Sequence, residues 1–97
     1  MKNGLPPIHP GEYLREALDE LGLTQAAFAE AIGVSPMRVS HVLNGARPVT
    51  AELALRIGRA FGQTPQYWLN LQNSFDLKTA EVAMKQSLKA VHELAHA

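Results

Sequence analysis

The chain has no cysteine and no apolar run long enough to cross a membrane, each of which removes a class of function, and no net charge, which argues against a nucleic-acid partner only until the charges are placed along the chain. Without cysteine there are no disulfides and no cysteine-ligated zinc, a composition that suits the cytosol. The opening Met1-Lys2-Asn3-Gly4-Leu5-Pro6-Pro7 lacks an apolar core of signal-peptide length, so neither secretion nor membrane residence is expected. β-Branched runs are few, and internal repeats and low-complexity tracts are absent. No Ser, His and Asp constellation and no phosphate-cradling glycine loop is visible, so the sequence points to neither an enzyme nor a bound cofactor. At 97 residues it supports one small domain over 1–97, too small for a deep cleft and a second lobe.

What is present is helix punctuation. Thr24 is a good N-cap, Gln25 to Ile32 is a strong helix-forming run with Phe28 and Ile32 one turn apart, and Gly33 can reverse the chain. Ser35 caps again, Pro36 takes the first helical position, and the second helix runs to Leu43 before Asn44-Gly45 stops it. Residues 24–44 therefore read as a helix-turn-helix. Ala29, four residues before Gly33, leaves room for a steep crossing, and Val39, Val42 and Leu43 share the face that points back at Phe28 and Ile32. Met37, His41 and Asn44 fall on the opposite face, flanked by Arg38 and Ser40, an arrangement that suits a DNA major groove. An αα-hairpin with a solvated outer face would give the same pattern.

Charge is segregated despite the neutral total. Glu12, Glu16, Asp19, Glu20 and Glu30 oppose only Arg15 in the first part, whereas Arg38, Arg47, Arg56 and Arg59 oppose only Glu52 in the middle. An acidic first helix turned away from a duplex and a basic recognition side would give a directional field.

Around the motif, residues 1 to 9 read as a loose arm, and His9-Pro10-Gly11 leads into a helix with the stripe Leu14, Ala17, Leu18 and Leu21, closed by Gly22. Thr50 caps a fourth helix with Leu53, Ala54, Ile57 and Phe61 inward and Arg56 and Arg59 outside. Thr64-Pro65 begins a fifth with Trp68, Leu71 and Phe75. A separate last helix is expected over about 78–96, with Ala80, Ala83, Met84, Ser87, Leu88 and Val91 along one stripe. It exceeds what the core needs, so its stripe is expected either to lie on its own domain or to contribute the contact of a homodimer on a two-fold operator, a contact that the Trp68 to Phe75 helix could also supply. Near its end His92-Glu93-Leu94-Ala95-His96 matches the H-E-x-x-H zinc pattern, but no third ligand follows, so no metal site is assigned.

These segments together resemble the Xre or lambda-repressor-like group and, within it, HigA-type antitoxins. The resemblance rests on His9-Pro10-Gly11-Glu12-Tyr13-Leu14, Leu23-Thr24-Gln25 through Ala29, Val42-Leu43-Asn44-Gly45, Arg47-Pro48-Val49-Thr50 and Trp68-Leu69-Asn70-Leu71-Gln72, the last being the most discriminating. It implies an all-α fold, a five-helix lambda-repressor-like domain with an additional C-terminal helix. It also implies a cytoplasmic, nucleoid-associated repressor of its own operon that binds double-stranded operator DNA and neutralises a HigB-type messenger-RNA endoribonuclease. Gln25 would touch phosphate, Asn44 and Arg47 would hold the DNA backbone, and Ser35, Met37, Arg38, Ser40 and His41 would face base edges or adjacent phosphates. Related sequences often carry a basic residue at the position of Ala46 and arginine at that of His41, so base preference does not transfer. A stand-alone regulator without a toxin, and a helical adaptor that does not bind DNA, are the alternative readings.

Overall fold

The computed structural model describes residues 6–95, and among these every regular element is helical. The order is α1 Pro10–Leu21, α2 Gln25–Ile32, α3 Pro36–Leu43, α4 Ala51–Phe61, α5 Pro65–Ala83 and α6 Lys85–Leu88. Each start among the first five has a local chemical cause. Thr24 Oγ1 accepts from the Ala27 N–H at 3.0 Å, Ser35 Oγ from the Arg38 N–H at 3.1 Å and Thr50 Oγ1 from the Leu53 N–H at 3.3 Å, so each cap satisfies a donor that the helix cannot. Thr64 makes no such bond, and α5 starts on the fixed φ of Pro65 alone. The five-helix domain with an additional C-terminal helix expected from the sequence is the architecture found.

The core is drawn from all of the first five helices. Leu14 and Leu18, Phe28, Ala29 and Ile32, Val39, Val42 and Leu43, Leu53, Ala54 and Ile57, and Trp68 form one buried cluster, with Val49 added from the α3–α4 loop. Phe28 and Phe61 stack at 5.5 Å between centroids, and Phe61 reaches Trp68 at 6.2 Å. The indole does not bury an unmet donor, because Trp68 Nε1 gives its hydrogen to Gln63 Oε1 at 2.8 Å. The apolar stripe of α1 is engaged only as far as Leu18; Leu21 lies in the last turn, where Gly22 diverts the chain, and stays 59% exposed.

The C-terminal region departs from the expected boundaries. No break occurs near Asp76 to Thr79: neither Gly nor Pro stands between Pro65 and Ala83, and α5 runs through as one 19-residue helix. The chain breaks at Met84, and the additional helix is the four residues of α6 rather than 78–96. The physical reason is packing: residues 79–95 are all exposed, and a short helix with nothing against its apolar stripe is marginal in water. His92 to Ala95 are not helical, so the one-turn spacing needed for an H-E-x-x-H site is not formed there, and His96, Ala97 and most of the 1–9 arm (residues 1–5) lie outside the described residues.

Candidate nucleic-acid interface

The geometry of α2 and α3 is set by Gly33, whose φ of 76° lies in the region that side chains with a Cβ avoid. The Val34 N–H then closes back on the Ala29 carbonyl at 3.0 Å, and Ala29, fully buried, leaves the space in which α3 crosses. Val39, Val42 and Leu43 are buried beneath α3, so its other face is fixed outward. Met37 is 68% exposed there, Asn44 is exposed, and Ser40 and His41 are half-buried at the edges. Ser35 is exposed, but its hydroxyl oxygen is engaged as the cap of α3. Gln25 is exposed in the first turn of α2. Arg47 is exposed in the loop after α3, and its position is tied to that helix because the N–H groups of Ala46 and Arg47 both donate to the His41 carbonyl, at 2.8 and 3.2 Å. Seven of the eight residues singled out from the sequence thus sit on α3, at its caps or in the loop anchored to it; Gln25 sits on the preceding helix.

The basic side is less open than the sequence suggests. Arg38 Nη2 lies 3.4 Å from Glu52 Oε1, and Arg56 Nε lies 3.2 Å from Glu52 Oε2. Hydrogen bonds from Arg56 and Arg38 hold the Glu52 carboxyl below the usual carboxylate range. Arg56, expected outside with Arg59, is half-buried, and its Nη1 donates to the Ile32 carbonyl at 2.8 Å, satisfying an open acceptor at the end of α2. Arg47 and Arg59 remain exposed.

Several residues that place this face were not identified as such from the sequence. Arg15, the lone cation of the acidic first part, donates from Nη2 to the Leu43 carbonyl at 3.3 Å and to Asn44 Oδ1 at 3.2 Å, gripping the end of α3 from α1. Gly11 lies directly beneath the Val42 and Leu43 carbonyls, where any Cβ would meet backbone. His9 caps α1 by accepting the Gly11 N–H at Nδ1, 2.9 Å away, and its ring meets Phe75 edge-on at 5.0 Å. Burial lowers the His9 pKa, against a bond to the Arg47 backbone carbonyl and the charges of Asp76 and Glu12, which raise it. On α5, the buried Gln72 accepts the Val49 N–H at 2.7 Å and donates to Asp76 Oδ1 at 2.9 Å. The signal for Gln72 was present: a polar residue at the i+4 position from Trp68, inside the apolar stripe Trp68, Leu71, Phe75. The first and last of the discriminating sequence segments thus converge on the α3–α4 loop.

Comparison with known proteins agrees with this geometry. The helix-turn-helix family model matches residues 14–68. Antitoxin HigA-1 of Vibrio cholerae is 38% identical over 89 residues, covering 91% of this chain and 84% of that protein. Among solved structures, an addiction module antidote protein of the HigA family from Coxiella burnetii superposes with a TM-score of 0.90 at 40% identity, over 93% of this chain and 100% of that one. The antitoxin HigA of Pseudomonas aeruginosa, solved with the higBA promoter, gives a TM-score of 0.88 at 38% identity, over 92% and 99%. With its motif helices, its α3–α4 joint and its full-length likeness to these proteins in agreement, the chain belongs to the HigA-type antitoxins of the Xre, lambda-repressor-like helix-turn-helix family.

Proposed function

We propose that this protein is a DNA-binding transcriptional repressor that places α3 in the major groove of double-stranded operator DNA and acts as the antitoxin of a toxin-antitoxin pair. The observation that carries the reading is the two-sidedness of α3: its inner face is buried and its ends are clamped by Ser35, Arg15 and the Arg47 loop, while Met37, Ser40, His41 and Asn44 are left outward. A helix held this way meets base edges without first paying to order itself. In this reading Met37, Ser40 and His41 face the bases. Gln25, Ser35, Arg38, Asn44 and Arg47 hold the backbone from the two ends. The P. aeruginosa HigA solved with its promoter supports the same use of the motif.

The protein acts by occupancy and not by catalysis, in the bacterial cytoplasm, on its own promoter. No helix among the described residues is long and apolar enough to cross a membrane, which accords with that setting. One motif reads only a few base pairs, so a homodimer with half-sites about 34 Å apart supplies the specificity. Direct neutralisation of a HigB-type toxin is the second activity, inferred from the family. Titration of the purified protein with a duplex from upstream of its gene, against an unrelated duplex, tests the first activity: preference for the upstream duplex is expected, and equal affinity for both defeats it. Co-expression with the neighbouring reading frame tests the second. Rescue of growth is expected, and a neighbour that is not toxic leaves a stand-alone regulator.

A further inference from the structure

His9 stands where three parts of the fold meet. At the entry to α1 its Nδ1 accepts the Gly11 N–H at 2.9 Å. Its ring meets Phe75 of α5 edge-on at 5.0 Å, and a Cβ on Gly45 in the α3–α4 loop would stand 3.7 Å from its Cγ. Because Nδ1 is the acceptor, the ring proton sits on Nε2, and that N–H donates to the Arg47 carbonyl. A neutral imidazole thus ties α1 to the loop through both nitrogens. The cap of α1 needs only the first of these bonds. On the loop, the Arg47–Pro48 peptide carries no N–H, so its carbonyl is its sole polar handle, and His9 takes it. The Arg47 N–H goes to the His41 carbonyl at 3.2 Å, and Pro48 confines Arg47 to extended backbone. The Arg47 backbone is therefore held at both ends, while its side chain is exposed.

We propose that His9 is a positioning residue for DNA binding: through Nε2 it pins the Arg47 carbonyl and so aims the exposed guanidinium at a backbone phosphate. The inference rests on the reading of Arg47 as a phosphate contact. An arginine on a loop fixed in advance has less to order on binding than one on a loop that moves. A phosphate contact carries no sequence information, so the gain falls on operator and unrelated DNA alike. In this role His9 itself need not touch DNA. Its two nitrogens can be separated by substitution. Asparagine places an acceptor near Nδ1 and is a preferred N-cap, but its amide ends short of the Nε2 position. Glutamine carries a donor out to the reach of Nε2 and is not among the preferred N-caps.

The test titrates operator and unrelated duplex across a series of salt concentrations with wild type, His9→Asn, His9→Gln, Arg47→Ala and the double variant His9→Asn/Arg47→Ala, with melting curves on each. His9→Asn is expected to melt close to wild type at neutral pH. It should bind both duplexes roughly 3- to 10-fold more weakly, with a log–log salt slope flatter by up to about 0.9, the value of one phosphate contact. His9→Gln is expected to melt lower and yet bind more tightly than His9→Asn, a reversal that a merely structural role would not produce. In the Arg47→Ala background, His9→Asn is expected to change neither affinity nor slope further. A folded His9→Asn that binds as wild type overturns the proposal. An equal loss in the Arg47→Ala background also overturns it, by assigning the effect to the fold. Should His9→Asn fold poorly, His9→Gln decides: affinity near wild type is expected, and a loss as large as that of Arg47→Ala overturns the idea. An Arg47→Ala protein that binds as wild type sinks the reading of Arg47 as a DNA contact instead, so the two failures are distinct.

Discussion

Arg15 on α1 and Asn44 at the end of α3 are joined by a hydrogen bond of 3.2 Å across 29 residues of sequence, and the same guanidinium nitrogen reaches the Leu43 carbonyl at 3.3 Å. A helix C-terminus leaves its last carbonyls without partners, and a cation there also meets the negative end of the dipole. Arg15 meets both needs and turns the Asn44 amide toward a fixed direction. Arg15→Ala is expected to cost about 1 kcal/mol of stability, the net worth of a bond of this kind. It should also weaken operator binding by several-fold, and Arg15→Lys should restore charge but not the two-point grip. Denaturant melts and operator titrations on both variants check this; operator affinity unchanged in Arg15→Ala would remove Arg15 from the placement of Asn44.

Gly11 is required by a close approach and not by backbone freedom. Its φ is helical, but a Cβ would run into the Val42 carbonyl oxygen and press on that of Leu43 at 3.0 Å. Neither is a flexible side-chain end that could move aside. Gly11→Ala is expected to push α1 from α3 and lower stability by about 3 kcal/mol, the upper range for overpacking. The melting temperature of this variant reports it directly, and a shift of less than a few degrees would show that the two helices can separate at little cost.

These two residues also show where the sequence was legible. Caps, stops and apolar stripes depend on neighbours within one or two turns, so Thr24, Ser35, Thr50 and the Val39, Val42, Leu43 face could be read directly. Arg15, Gly11 and Gln72 act on partners 23 to 32 residues away, and no local pattern encodes such a contact. Arg38 was placed correctly at the edge of the outward face, but its partner Glu52 lies on another helix, so the charge it presents could not be known from α3 alone. The C-terminal helix failed for the opposite reason: its stripe is periodic, but periodicity holds a helix only when something packs on it.

Gln72 is the buried polar residue that closes the α3–α4 loop. Its Oε1 takes the Val49 N–H, and Val49 is itself buried, so no water stands ready to replace the bond. Gln72→Leu keeps the volume and leaves that donor unmet, at a cost of about 1–3 kcal/mol. For a domain of this size each kcal/mol corresponds to a melting shift of about 4–8 °C. Because the loop carries Arg47, operator affinity should fall along with stability. A stable variant with normal binding would show that the loop is held by Val49 packing alone.

His9 gives the fold a dependence on pH whose sign follows from its geometry. Nδ1 accepts the Gly11 N–H and must be unprotonated to do so, and burial lowers the pKa below the ordinary 6.5. As pH falls through 6.5 the unfolded chain takes up the proton first, so stability is full above 6.5 and declines until the folded-state pKa is reached. His9→Asn keeps an acceptor near the Nδ1 position without a titrating group. Wild type is therefore expected to lose stability between pH 7 and 5 more steeply than His9→Asn, measured by melts on both proteins. Parallel profiles would assign the acid sensitivity to the carboxylates.

The exposed C-terminal segment is expected to form the dimer contact. Val82 is 73% exposed, Leu94 82%, and Met84, Leu88 and Val91 are also exposed, so the chain after the body of α5 offers apolar surface that its own domain does not cover. The molecule extends 52 Å along its longest axis against 28 and 23 Å along the others, and a chain end that projects can reach a second copy. Because α5 is continuous to Ala83, cutting after Leu77 would open a helix, and the cleaner variant ends at Ala83. That variant is expected to be monomeric by light scattering, to keep the fold of the 6–83 body by circular dichroism, and to bind a full operator about a hundredfold more weakly, because the second half-site no longer benefits from linkage to the first. Binding to a single half-site should be nearly unchanged, since α3 and its clamps are intact. A truncated protein that stays dimeric and binds the full operator as before would move the contact elsewhere, and a monomeric full-length protein would sink the dimer itself.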